Sequence, residues 1–151
     1  MMKERLNYAE ISPDALKAMH ELEKYVAASG LERPLCELVK TRVSQMNGCA
    51  YCIDMHTKDA RKAGETEQRL YALNAWRETP FYTDRERAAL EWAEALTLIS
   101  KNDVPDSLYN SVRKHFDEKE IVALSMAIIA INGWNRLAIG FRTTPGTYKP
   151  Q

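Results

Sequence analysis

The chain has 151 residues, enough for one domain that buries a sizeable core without disulfide or metal staples. A hydrophobic fraction of 45% and a charged fraction of 28% are those of a soluble globular protein, and 21 basic against 21 acidic residues leave no net field to hold a polyanion, which argues against a nucleic-acid partner. The N-terminal stretch MMKERLNYAEISPD lacks the apolar segment of a secretory signal. The longest apolar run, Ile121 to Ile131, is too short to span a bilayer, so a cytoplasmic location without membrane contact is expected.

Helix signals dominate, and period-two patterns flanked by hairpin turns are absent, so an all-helical fold of about six or seven helices in a single domain over 1–151 is expected. Ser12-Pro13 offers an N-cap and a first-turn proline for a helix over about 12–29. Leu16, Met19, Leu22 and Val26 recur there at helical spacing until Gly30. Pro34 can open a second helix whose stripe Leu35, Leu38, Val39, Val43 and Met46 ends at Asn47-Gly48, a favourable left-handed stop. A third begins near Cys49 and runs to Lys62, with Gly64 beyond it. Thr66 caps a fourth through about Trp76, broken by Thr79-Pro80. Thr83 and Glu86 have capping-box form before Leu90, Ala93 and Leu96; Pro105 begins a helix to about His115; Asp117 and Glu120 repeat the cap before IVALSMAIIAI.

That last helix is apolar nearly all round, interrupted mainly by Ser125. Such a helix must be buried on every side, which in a chain this short calls for a neighbouring subunit, so a homo-oligomer is inferred. Asn47-Gly48-Cys49 and Asn132-Gly133-Trp134 echo each other after apolar helices and weakly suggest an internal repeat. The C-terminal RTTPGTYKPQ is expected to run over the surface or fray.

The stretch NGCAYCIDMH, Asn47 to His56, concentrates the chemistry. On a helix, Cys49, Cys52 and His56 fall within an arc of roughly 60°, given about 100° per residue, so both sulfurs and the imidazole share one face. Cys52 and His56 are i,i+4 neighbours, close enough to exchange a proton. The first turn of a helix favours an anion and lowers a thiol pKa from its usual ~8.5. A reducing compartment and an odd cysteine count argue against a structural crosslink. A thiolate with an adjacent base can attack an O–O bond or a disulfide. A second cysteine three residues away can then condense with the resulting sulfenic acid before irreversible oxidation.

Two plainer readings stand beside this one: cysteines that only pack, and a zinc site. Zinc would need about four ligands, and beyond His56 there are only His20, His115 or a carboxylate to complete them. Glu37, between Leu35 and Leu38, either faces the Cys/His face if its helix packs antiparallel on the next, or is an exposed helical glutamate. Cys36 reads as core; His20 and His115 as surface or packing residues; Trp76, Trp92 and Trp134 as core or interface anchors. Neither a phosphate loop nor a Ser/His/Asp arrangement is present.

ELVKTRVSQMNGCAYCIDMHTKDARKAG, Glu37 to Gly64, closely resembles the core motif of the AhpD-like alkylhydroperoxidase branch of the carboxymuconolactone decarboxylase superfamily. Looser similarity continues through Thr83 to Thr97 and Ala130 to Arg142. The resemblance implies an all-helical fold in dimers, trimers or hexamers, and a cofactor-free and metal-free enzyme, a thiol-dependent hydroperoxide reductase. Cys52 would attack, Cys49 resolve, and His56 and Glu37 relay the proton. An external dithiol, thioredoxin-like or lipoyl, would then reduce the disulfide. The helix terminus taken alone favours Cys49 as the more acidic thiol; the i,i+4 relation to His56 favours Cys52. Well-characterised peroxidases of the family carry histidine where this chain has Tyr51, a possible accessory residue whose phenol cannot act as a base at neutral pH. Two alternatives remain: a dithiol–disulfide reductase or electron carrier for a protein partner, and a non-enzymatic metal-binding or assembly module.

Overall fold

A computed structural model describes residues 2–150, and every regular element among them is helical. A short turn of helix, α1 (Tyr8–Ile11), leads into α2 (Pro13–Ala28), and α3 (Arg33–Asn47) and α4 (Ala50–Lys62) follow. Next come α5 (Glu67–Tyr71), a 3-10 segment (Leu73–Glu78), α6 (Asp84–Thr97), α7 (Asp106–Arg113) and α8 (Glu118–Phe141). The hub is α3, packed against α4, α6 and α8, while α2 lies along α8. The main core gathers Val39, Val43, Ala89, Ala93, Phe116, Leu124, Ile128 and Ile131, and a smaller cluster gathers Leu38, Leu73, Trp76, Tyr82 and Leu90.

Both capping boxes form as the sequence predicts: Thr83 with Glu86, and Asp117 with Glu120, each satisfying first-turn N–H groups reciprocally. Ser12 does not cap α2 with its side chain; its backbone closes α1, its N–H donating to the Tyr8 carbonyl. The predicted helix from Thr66 to Trp76 is broken: Thr66 caps α5, which ends before Ala72, and the following 3-10 segment is itself kinked at Ala75, with φ −115° and ψ 27°.

The largest departure is at Asn132-Gly133, where α8 continues without a break. Gly133 serves packing there, since a Cβ on it would lie 2.9 Å from the Met19 Cε of α2. The echo with Asn47-Gly48 is therefore a contact, not a repeat. The Asn47 amide donates to Asn132 Oδ1 at 3.0 Å and to Asn135 Oδ1 at 2.9 Å, and the Asn135 amide donates to Ser44 Oγ at 3.1 Å. This buried polar cluster fastens the α3–α4 turn to α8. Asn135→Ala is expected to destabilise by about 2 kcal/mol, because Asn47 and Ser44 lose a buried partner; urea unfolding of the two proteins reads the difference.

The last helix is also not buried all round: Val122 and Ile129 are each 54% exposed, on the side away from α2 and α3. It is long and apolar enough to cross a membrane, but half of its most apolar window is buried within the fold.

Glu94 ties α6 to two other elements. Its carboxylate accepts from Arg42 Nε at 2.8 Å, Trp76 Nε1 at 2.9 Å and Arg77 at 2.5 Å. Burial alone would raise its pKa, but these three donors outweigh it and hold the carboxyl below the usual range. A lowered folded-state pKa contributes stability above the unfolded carboxyl's value, and that stability is lost as pH falls through the folded value. Glu94→Gln is thus expected to lower stability by about 1–3 kcal/mol at neutral pH. The gap to wild type should narrow in strong acid, as denaturation at both pH values would reveal.

Candidate active site

The site is built at the α3–α4 junction. Gly48 adopts φ +70°, a conformation cheap only for glycine, and its N–H donates to Gln45 while the Cys49 N–H donates to the Ser44 carbonyl at 2.9 Å. This turn sends α4 back along α3. Cys49 does not sit inside the helix but at its N-cap, where its sulfur accepts the Cys52 N–H at 3.3 Å in the place usually taken by a serine or aspartate oxygen. Cys49 and Cys52 are joined as a disulfide with Cα atoms 5.3 Å apart, and they are 1% and 2% exposed.

One turn further along α4, His56 is 4% exposed and faces α3, where Glu37 is 8% exposed. Its Nδ1 lies 2.8 Å from Glu37 Oε2. A carboxylate only accepts, so Nδ1 is the donor to it, and a neutral ring bound this way has its lone pair on Nε2. That Nε2 is buried and has no hydrogen-bond partner among the described residues.

The two cysteines line different clefts, which share Tyr51 and Ala138. Cys52 lines a cleft of about 430 Å³ with Glu37, His56, Lys40, Tyr51 and Trp134. Cys49 lines another of about 320 Å³ with Tyr51, Ala138, Ile139, Arg142 and Thr143. A larger open depression over Arg42, Arg61 and Tyr71 contains neither cysteine and carries no reactive group, so it is not the site.

Several members of the Cys52 cleft had no distinctive sequence signal. Lys40, one turn after Glu37, is 7% exposed and pairs at 2.5 Å with Glu23, whose other oxygen accepts the Trp134 indole N–H at 3.0 Å. His20 packs on Trp134 with ring centroids 5.4 Å apart. The C-terminal segment runs over α4: the Gly146 N–H donates to Asp54, Lys58 to the Tyr148 carbonyl, and the Tyr148 hydroxyl to Asp59 at 2.8 Å. Burial, and then this bond to Asp59, pushes the Tyr148 phenol up to about 12. Burial also raises Tyr51, which therefore stays protonated at neutral pH.

Donor atoms of Glu37, His56 and Asp59 lie within 4.8 Å of one another, the grouping among the described residues that could hold a metal. It offers three ligands where a closed zinc site takes four, and Asp59 is already held by Tyr148. Cys36, the free thiol, is buried apart from the disulfide, and desolvation pushes its pKa up to about 11, which leaves it inert.

An all-helical fold carrying a CxxC disulfide beside a buried Glu–His pair defines a class, and comparison with known proteins agrees. The profile of the carboxymuconolactone decarboxylase family matches residues 13–95, and the chain belongs to that family, in its AhpD-like branch. YdfG of Bacillus subtilis (strain 168), itself uncharacterised, is 55% identical over 91% of this chain and 94% of its own length. A crystal structure from Agrobacterium tumefaciens, of a protein of unknown function assigned to AhpD-type antioxidant defence, is similar at a TM-score of 0.93 and 47% identity. That match covers 97% of this chain and all of the other. An AhpD-core, peroxidase-related protein from Ralstonia eutropha JMP134 shares the fold at a TM-score of 0.81 and 19% identity, covering 92% of this chain and 74% of its own.

Proposed function

We propose that the protein is a thiol-dependent hydroperoxide reductase in which Cys52 and Cys49 cycle between dithiol and disulfide. The observation that carries this reading is the unpartnered His56 Nε2, buried in the cleft that Cys52 lines and Cys49 does not. It supports Cys52 as the nucleophile. His56 Nε2 takes the Cys52 proton, and Glu37, holding Nδ1–H, stabilises the imidazolium. The Cys52 thiolate attacks a peroxide oxygen; the O–O bond breaks, leaving Cys52 sulfenic acid and an alkoxide that takes the imidazolium proton. Cys49 thiolate then displaces hydroxide from the sulfenic sulfur, forming the disulfide and, with a proton, water. An external dithiol returns the pair to thiols by exchange.

No cofactor or metal enters this cycle. The test is stoichiometry: reduced protein is expected to consume one hydroperoxide per disulfide formed and to turn over repeatedly with dithiothreitol. Thiol loss without peroxide loss would refute it.

Tyr51, standing between the cysteines and lining both clefts, favours a second reading, a dithiol–disulfide reductase or electron carrier for a protein such as a thioredoxin-like partner. Fast dithiol exchange with a negligible peroxide rate would select it. The exposed apolar residues of α8, with Ile99 at 60% exposure beside them, support a homo-oligomer, which light scattering would size. The reduced dithiol form fits a cytoplasmic location.

A further inference from the structure

The two clefts that flank the disulfide differ in charge. The Cys52 cleft carries three carboxylates, Glu23, Glu37 and Asp59, against one ammonium, Lys40, and two histidines. The Cys49 cleft has no acidic residue; Arg142 is its charged lining residue, among Met2, Ala50, Ala138, Ile139 and Pro145. Arg142 also has φ 59°, the one non-glycine among the described residues held in the left-handed region. Among the described residues, the buried side-chain polar atoms without a partner are two: His56 Nε2, in the Cys52 cleft, and Thr143 Oγ1 of a residue lining the Cys49 cleft.

Thiolate attack on a disulfide proceeds in line with the S–S bond, so the attacker approaches the sulfur it strikes from the side opposite the leaving sulfur. A neutral hydroperoxide tolerates an acidic cleft, whereas an incoming thiolate is repelled by one and drawn to a guanidinium. We propose that the Cys49 cleft is the reductant's own entry, separate from the peroxide's, and that a small dithiol enters there to attack Cys49. With Cys49 1% exposed at its floor, a flat protein surface does not reach the sulfur. The reductant thiolate bonds to Cys49 Sγ and the S–S bond breaks, releasing Cys52 as thiolate beside His56. The reductant's second thiolate then attacks its own sulfur in the mixed disulfide and releases Cys49. One dithiol becomes a disulfide, and two electrons and two protons pass to the protein.

The inference rests on the dithiol–disulfide reading of the site but not on peroxidase activity, since reduction can be followed on protein oxidised with diamide. Two measurements test it. First, brief exposure of oxidised protein to 2-mercaptoethanol, acid quench, alkylation and fragment mass spectrometry is expected to place the adduct on Cys49 and the alkyl group on Cys52; the reverse placement overturns the proposal. Second, the rate of reduction by dithiothreitol is expected to fall about fivefold in Arg142→Gly and about tenfold or more in Ile139→Trp, which narrows the Cys49 cleft, but less than about twofold in Leu16→Trp, since Leu16 lines the Cys52 cleft. Arg142→Gly suits the left-handed backbone, so a slower rate there is not a folding defect. A Leu16→Trp effect as large as that of Ile139→Trp, or no Arg142→Gly effect, overturns the proposal.

Discussion

Cys52→Ser is expected to abolish hydroperoxide turnover, with a loss on the order of 10³-fold or more, since a serine hydroxyl beside the same base is a far weaker nucleophile toward an O–O bond than a thiolate. Cys49→Ser should behave differently. It retains Cys52 and His56, so the first peroxide is consumed at close to the wild-type rate, but the sulfenic acid has no partner. That variant is expected to stop after one turnover and to accumulate a dimedone-reactive Cys52, then to pass to sulfinic acid under excess peroxide. Both side chains are buried and serine is close in volume, so each variant should fold, which circular dichroism checks. If Cys52→Ser gives the single burst and Cys49→Ser is inactive, the order of the two sulfurs is reversed; if both turn over like wild type, the cycle proposed for this dithiol is wrong.

How much of this was legible in the sequence follows from what each feature depends on. The capping boxes at Thr83 and Asp117 and the left-handed stop at Gly48 are local, set by a few consecutive residues, and the structure has them as read. The 3-10 kink at Ala75 and the unbroken helix through Gly133 are not local. The first lies in a segment pinned by Trp76 to Glu94, and the second is fixed by the approach of Met19, far away in the chain. The dithiol and its base were visible because they lie within eight consecutive residues, Cys49 to His56. Glu23, Lys40 and Trp134 were not, since each is an ordinary residue made part of the cleft only by packing, and Tyr148 reaches the cleft's Asp59 only through the fold. The N-cap position of Cys49 was half legible. A boundary off by one residue changes its sulfur from a helical side chain to the cap itself.

Fold alone does not select the reaction. A debrominase, Bmp8, shares this architecture at a TM-score of 0.80 and 20% identity, so the chemistry must be argued from the residues of the cleft.

Those residues lead to the second large effect. His56→Gln is expected to lower the second-order rate of peroxide reduction by about 10²–10⁴-fold, the range for losing a positioned base. Glutamine can still hydrogen-bond Glu37, so the carboxylate is not left buried and alone, a situation that would cost roughly 3–5 kcal/mol. Glu37→Gln leaves the imidazole in place with an amide oxygen as its acceptor, but the negative charge that stabilises the imidazolium is gone. A smaller loss, about 10–100-fold, is expected. Because Glu37 acts only through His56, the double variant should be no slower than His56→Gln alone; independent roles would instead multiply the two losses. Rates measured on pre-reduced protein, with peroxide in excess and no added dithiol, isolate this step from disulfide reduction. Strictly multiplicative losses would show that Glu37 acts other than through His56 Nδ1, and an unimpaired His56→Gln would remove the base from the mechanism altogether.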